Sequence, residues 1–125
     1  VAVNISKNKV YCGGSVLYLE KLDIDAVENL RVPEHIALLD LDTLTEPLEL
    51  RKWQEGDRFT PLGMTDEKKV SDFLIDEKVS MPEKKRQFVL TSGGEIVWIV
   101  GRRIDNRHKI TSKTENVLRI TKENY

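Results

Sequence analysis

Nine cations in three short runs are the residues of this sequence best suited to chemistry: Lys68-Lys69, Lys84-Lys85-Arg86, and Arg102-Arg103 with Arg107 and Lys109. The chemistry they suit is the holding of phosphate. Lysine supplies a point charge, and arginine a planar fork that can bond two phosphate or base-edge oxygens at once. Surface lysines are often only solvated, so Lys68, Lys69, Lys84 and Lys85 each carry that bland alternative. The four cations of residues 102–109 rank first, because they follow the apolar run 96–100 on what reads as a loop. Rigid scaffolds commonly present binding groups on loops. Arg51 and Arg58 read differently, as partners for Asp57, Asp72 or Asp105 that fix the loops.

No catalytic residue is expected. Asp72 and Asp76 lie four apart on one helix face, but with Lys69 three residues before Asp72 they read as a solvated, locally paired surface. His35 and His108 are too far apart in sequence, and Cys12 too isolated, for a zinc pattern, so no metal is expected. One cysteine cannot form an internal disulfide, which fits a reducing, cytoplasmic setting. No apolar run approaches the roughly 18 residues of a membrane span, and no signal-peptide pattern opens the chain, so it reads as a fragment of a soluble protein. The aromatics Trp53, Phe59, Phe73, Phe88 and Trp98 fall in strand or helix patterns and are expected in the core, Trp53 and Phe59 being the least certain. With few aromatics left to stack on bases, recognition of a duplex stem by backbone, 2′-OH and shape is the expectation.

The elements that must position these groups are mostly strands. Val1, Val3 and Ile5 alternate, and the apolar pattern resumes at Val10, so the start reads as a hairpin. Gly13-Gly14 then turns the chain into 15–19, and 35–39 is a further short strand ended by Asp40 and Asp42. Residues 48–53 alternate as a strand. Val70, Phe73, Leu74 and Glu77 follow helical spacing, with Thr65 or Asp66 as N-cap. Ser80-Met81-Pro82 opens a second short helix. Residues 87–91 and 95–100 form a hairpin around Ser92-Gly93-Gly94 whose second strand, apolar on both faces, should be central, and 117–121 could close the sheet.

The charge is uneven. Residues 1–47 hold four Lys/Arg against eight Asp/Glu, a net −4, while residues 48–122 hold sixteen against twelve, a net +4, in a chain whose total is −1. Pro47 stands where the sign changes, so 43–47 is the preferred boundary between a β-rich linker or partial subdomain (1–47) and a C-terminal domain (48–122). The class expected for the second part is α+β: a mixed or antiparallel, sandwich-like sheet with one or two short helices.

Five ordered blocks give the sequence a family likeness. They are Leu50-Arg51-Lys52-Trp53, Gly56-Asp57-Arg58-Phe59, Pro61-Leu62-Gly63-Met64, Lys68-Lys69-Val70-Ser71-Asp72-Phe73, and the run from Trp98 through Gly101-Arg102-Arg103-Ile104 to Asp105. Together they resemble the C-terminal domain of tRNA(Ile)-lysidine synthetases over about residues 46–121. That domain is in turn similar to one in the phenylalanyl-tRNA synthetase β chain. The resemblance implies an accessory module that binds tRNA(Ile), including its acceptor stem, for a ligase that joins lysine to the wobble cytidine of the anticodon. It implies ATP with magnesium as a requirement of the parent enzyme's N-terminal catalytic domain, and no cofactor in this fragment. The catalytic loop of the family reads Ser-Gly-Gly-x-Asp-Ser. Ser92-Gly93-Gly94 continues instead as Glu95-Ile96-Val97, so the fragment alone is expected to be inactive. The alternative is a structural domain that docks on the catalytic part or forms a homodimer.

Overall fold

Alternating hydrophobicity becomes two facing antiparallel sheets in the computed structural model of the chain, which describes residues 1–125. In chain order the strands are β1 (Ala2–Val3), β2 (Lys9–Cys12), β3 (Ser15–Asp23), β4 (Ile36–Asp40), β5 (Leu48–Lys52), β6 (Arg58–Phe59) and β7 (Lys68–Lys69). Two helices follow, α1 (Val70–Asp76) and α2 (Met81–Lys85), and then β8 (Phe88–Ser92), β9 (Glu95–Ile99), β10 (Arg103–Ile104) and β11 (Asn116–Asn124). One sheet runs β1-β5-β8-β9-β10, the other β2-β3-β11-β4, and β6 and β7 form a small ladder. The fold is α+β and sandwich-like, as expected.

Period-two patterning explains what lies between the sheets. Leu48 and Leu50 of β5, Leu90 of β8 and Trp98 of β9 meet Leu17 and Leu19 of β3, Ala37 and Leu39 of β4, and Leu118 and Ile120 of β11 in one buried cluster. Each leucine or isoleucine among them contributes about 1.5–3 kcal/mol on leaving water. A register shift between Leu90 and Thr91 bulges β9, and Val97 and its neighbour Trp98 both join this inner cluster. A second cluster joins Val89, Ile96 and Ile99 to Phe59, Val70, Phe73, Leu74 and Val79, with the Phe59 and Phe73 rings edge to face at 5.1 Å. Strands β8 and β9 are thus apolar on both faces because a sheet covers one and α1 with β6 covers the other.

Local signals formed as read. The turn at Gly93-Gly94 has positive φ at both glycines (58° and 87°) and joins Ser92 to Glu95 as a two-residue hairpin. Ser80 caps α2 by accepting from the Glu83 N–H, with Pro82 in the first turn.

Several non-local expectations are corrected. β1 does not pair with β2; it crosses to the other sheet and pairs with β5, Val3 opposite Leu48, which places Val3 in the inner cluster. The hairpin is instead β2–β3 around Gly13-Gly14. β11 does not close the sheet but lies between β3 and β4. The N-cap of α1 is neither Thr65 nor Asp66: Lys68 and Lys69 pair with Phe59 and Arg58, so the backbone stays extended up to Lys69, and the Val70 N–H donates to Asp57 O at 2.9 Å. Residues 43–47 join strands of the two sheets, and the inner cluster draws side chains from both sides of that segment. Residues 1–47 therefore share a core with 48–122.

Candidate nucleic-acid interface

The end of β9 sets the geometry of the first-ranked cations. Gly101 takes φ 79° and turns the chain out of the strand. Arg102 then donates through Nε to Gln87 Oε1 at 2.7 Å and lies 3.3 Å from Glu83 Oε2. Gln87 is itself held by donation from Nε2 to the Phe88 and Val100 carbonyls, at 2.8 and 2.9 Å. Arg103 reaches Glu77 at 3.8 Å and stands over the Phe73 ring, 5.2 Å from its centroid.

Asp105 is fully buried and anchors the rest of the segment. Its carboxylate accepts the Thr60 N–H at 2.9 Å, the Arg107 N–H at 2.8 Å, and Arg107 Nε and Nη2 at 3.0 Å each. Burial alone would push the Asp105 carboxyl up, but the guanidinium of Arg107 and the two N–H groups outweigh it, and the net shift is downward. Arg107 also meets Glu95 at 2.9 Å. Of the four cations in residues 102–109, three are matched by acidic partners within the domain, and Lys109 makes no ion pair.

The other two runs divide. Lys68 pairs with Asp76 at the end of α1, in place of the Lys69–Asp72 pairing read in the sequence. Lys69 makes no ion pair, nor do Lys84, Lys85 and Arg86 at the end of α2. Arg51 forks onto Asp57 at 2.9 and 3.1 Å, as read. Arg58 pairs with Glu67 at 3.5 Å rather than with any of the three aspartates proposed for it, because the β6–β7 ladder brings the 65–68 segment alongside.

A hollow of about 650 Å³ opens where the Gly13-Gly14 turn of one sheet approaches the Phe88 and Gly101 ends of the other. Lys52, Arg86, Arg102 and Lys122 stand around it, with Glu83 as the one acidic residue. Lys52 and Lys122 belong to none of the three basic runs. Lys52 ends β5, Lys122 lies on β11, and neither neighbours a cation that turns the same way except through the fold. Their signal is topological: each sits on a strand whose far end the sandwich brings to this edge. Cys12, also at the hollow, is buried, and burial pushes its thiol up to about 11 despite the nearby Lys122, so it stays protonated at neutral pH.

A second hollow, of about 410 Å³, shares Lys52 with the first and is lined by Trp53, Ile75, Met81, Lys84 and Lys85, with Glu55 as its one acidic residue. Trp53 is half-buried, its indole N–H donating to Lys84 O at 2.7 Å. The remaining core aromatics are placed as read: Phe59, Phe73 and Trp98 are buried and Phe88 is half-buried. A third, largely apolar hollow of about 390 Å³ lies beside Leu30, Val32, Leu62, Ile110 and Lys109.

The Ser92-Gly93-Gly94 turn does not fit the phosphates of a nucleotide cofactor. Ser92-Gly93-Gly94 is a tight hairpin with no helix behind it, and Ser92 Oγ is committed to Thr45, donating to its carbonyl at 2.9 Å and accepting its N–H at 2.7 Å. Buried His108 lies 2.8 Å from Thr43 Oγ1 through Nδ1 and 3.5 Å from Glu95 through Nε2, and no three His, Cys, Asp or Glu side chains cluster as metal ligands would.

Comparison with known proteins follows the same outline. The family model described as the TilS substrate C-terminal domain matches residues 48–120. A tRNA(Ile)-lysidine synthase from Bacteroides thetaiotaomicron is 43% identical over 80% of this chain and 24% of its own length. One from Parabacteroides distasonis is 47% identical over 82% and 23%. The chain thus spans about a quarter of the length of the curated relatives it matches. Among solved structures, a TilS C-terminal domain superposes with a TM-score of 0.76 at 18% identity, covering 89% of this chain and 85% of that one. An N-terminal fragment of the phenylalanyl-tRNA synthetase β-subunit from Pyrococcus horikoshii gives 0.57 at 20%, covering 70% and 27%. These two likenesses speak to fold.

Proposed function

This chain belongs to the TilS substrate C-terminal domain family, and from that membership we propose that it binds tRNA(Ile) for a tRNA(Ile)-lysidine ligase. Catalysis in that enzyme, with its ATP and magnesium, belongs to an N-terminal catalytic domain outside this chain, and the fragment alone is inactive. The setting proposed is the cytoplasm. The single observation that carries the binding role is a set of cations without acidic partners in the domain, Lys52, Lys84, Lys85, Arg86 and Lys122, gathered along one edge of the sandwich. Unpaired cations keep their charge available for phosphate and release counterions on binding. Arg102 adds a fork that Gln87 already orients. Arg103 and Arg107 act more as braces for the segment than as free phosphate ligands, since Glu77, Asp105 and Glu95 hold them. Lys68, Lys69 and Lys109 remain candidate outlying contacts.

The test is ligation of lysine to tRNA(Ile) by the parent enzyme with and without this domain. Removal is expected to raise the KM for tRNA at least tenfold and leave the KM values for ATP and lysine within twofold. Equal KM values for tRNA would remove the binding role.

A second role is compatible with the first and has its own observation. The apolar hollow beside Leu30 and Leu62, which are 58% and 44% exposed, suits docking of the enzyme's own remaining portion, since three-quarters of each relative lies outside this chain. Retention of tRNA affinity by the isolated chain, with loss of coupling to ligation after Leu62→Glu, is the expected signature.

A further inference from the structure

We infer that the two hollows sharing Lys52 form one track for single-stranded RNA, with phosphates among Lys52, Arg86, Arg102 and Lys122 and a base stacked on Trp53. The inference rests on the reading that this domain binds RNA, and adds which form of RNA this edge takes. The first hollow is lined by four cations against Glu83, which Arg102 already neutralises in part at 3.3 Å. Its wall also includes Gly13, Gly14 and Gly101, whose backbone N–H groups donate to no acceptor in the chain. Free N–H groups beside unpaired cations make a setting for anionic oxygens.

The second hollow has a different chemistry. Trp53 sits beside Lys84 and Lys85, and Ile75 and Met81 are 58% and 63% exposed next to it. The bond from the indole N–H to Lys84 O fixes the ring, so a base meeting it loses little side-chain freedom. A duplex offers a convex backbone with its bases stacked away inside, and has no use for an aromatic and apolar hollow. A single strand offers phosphates and unstacked base faces side by side, the pairing that cationic grooves with interleaved aromatics accept. The sequence favoured a duplex because it expected most aromatics in the core, with Trp53 among the least certain; Trp53 is only half-buried.

The chain's two tryptophans give the test its readout, since Trp98 is fully buried and Trp53 is not. Titrate the 125-residue chain with a mixed-sequence RNA octamer and, separately, with a blunt 12-base-pair RNA duplex, following tryptophan fluorescence and the anisotropy of a labelled RNA. The octamer is expected to quench fluorescence and to bind at least tenfold tighter than the duplex. Lys52→Gln with Arg86→Gln and Lys122→Gln should weaken octamer binding more than tenfold. Trp53→Leu should weaken it roughly tenfold and abolish the quenching. Trp53→Phe keeps a ring against the same cluster and should restore most of the affinity, which separates stacking from folding. Duplex binding that equals or exceeds octamer binding, without quenching, overturns the track while leaving RNA binding standing. Binding of neither RNA by folded protein overturns both.

Discussion

Replacing Asp105 by alanine should cost about 3 kcal/mol of folding stability, and the structure shows where that figure arises. The carboxylate is fully buried, and the Thr60 N–H it accepts lies in a residue only 6% exposed. Losing the acceptor strands that N–H, at about 1–3 kcal/mol. The two bonds to the Arg107 guanidinium contribute less, about 0–1 kcal/mol, because Arg107 is 45% exposed and can turn to water or to Glu95. The remaining bond, to the Arg107 N–H, caps the short 106–108 turn, at about 1 kcal/mol. A loss near 3 kcal/mol is a large share of the roughly 5–15 kcal/mol available to a domain, and lowers the melting temperature by on the order of 10 °C. Asp105→Asn keeps one oxygen for Thr60 and should lose less. The pH dependence has a definite sign. The folded-state pKa is depressed, so this stability is fully present above the unfolded value of about 3.9 and drains away as pH falls through the folded value below it. Urea unfolding of the parent chain and both variants from pH 7 to pH 2 is the assay. The gap between parent and Asp105→Asn should be constant above pH 5 and narrow below about pH 4. A loss under 1 kcal/mol for Asp105→Ala at pH 7, or a gap that widens in acid, refutes the reasoning.

Trp98→Ala should destabilise by about 3–5 kcal/mol in the same urea assay, since Trp98 is fully buried in the inner cluster; a loss below 2 kcal/mol would show that the cluster closes around the gap. Lys78 ends α1 at φ 57°, its N–H and that of Val79 donating back to Ile75 and Leu74, so Lys78→Gly should stabilise by about 1 kcal/mol; no gain would mean the bend carries no strain. The rate of Cys12 modification by a thiol reagent should still be climbing with pH at pH 9 to 10, because burial pushes its thiol up to about 11; a plateau near pH 8.5 would contradict the buried placement.

What the sequence disclosed was what neighbouring residues decide among themselves. Gly93-Gly94 needed only positive φ to be a hairpin, and Ser80 with Pro82 needed only helix-end geometry. Pairings between distant segments were not legible. Nothing local tells Val3 to lie opposite Leu48 instead of near Val10, or tells β11 to enter between β3 and β4. The candidate interface suffered the same limit. Consecutive cations marked residues 102–109, but the partners that hold them, Gln87, Glu83, Glu77 and Asp105, arrive from other elements or through a buried turn. Lys52, which follows Arg51, and Lys122, which precedes Glu123, belong to none of the three basic runs and come together only around the hollow. Trp53 read as core because its strand alternates, yet it ends beside α2 at the surface of the second cluster.

The most direct measurement is the affinity of the isolated chain for tRNA(Ile) as a function of salt. Four cations around one hollow imply about four neutralised phosphates, hence a slope near −3 in log affinity against log salt and a loss of roughly 50-fold between 50 and 200 mM. Folded protein that shows no binding at 50 mM salt, or an affinity that does not change with salt, would contradict phosphate-driven tRNA binding by this domain.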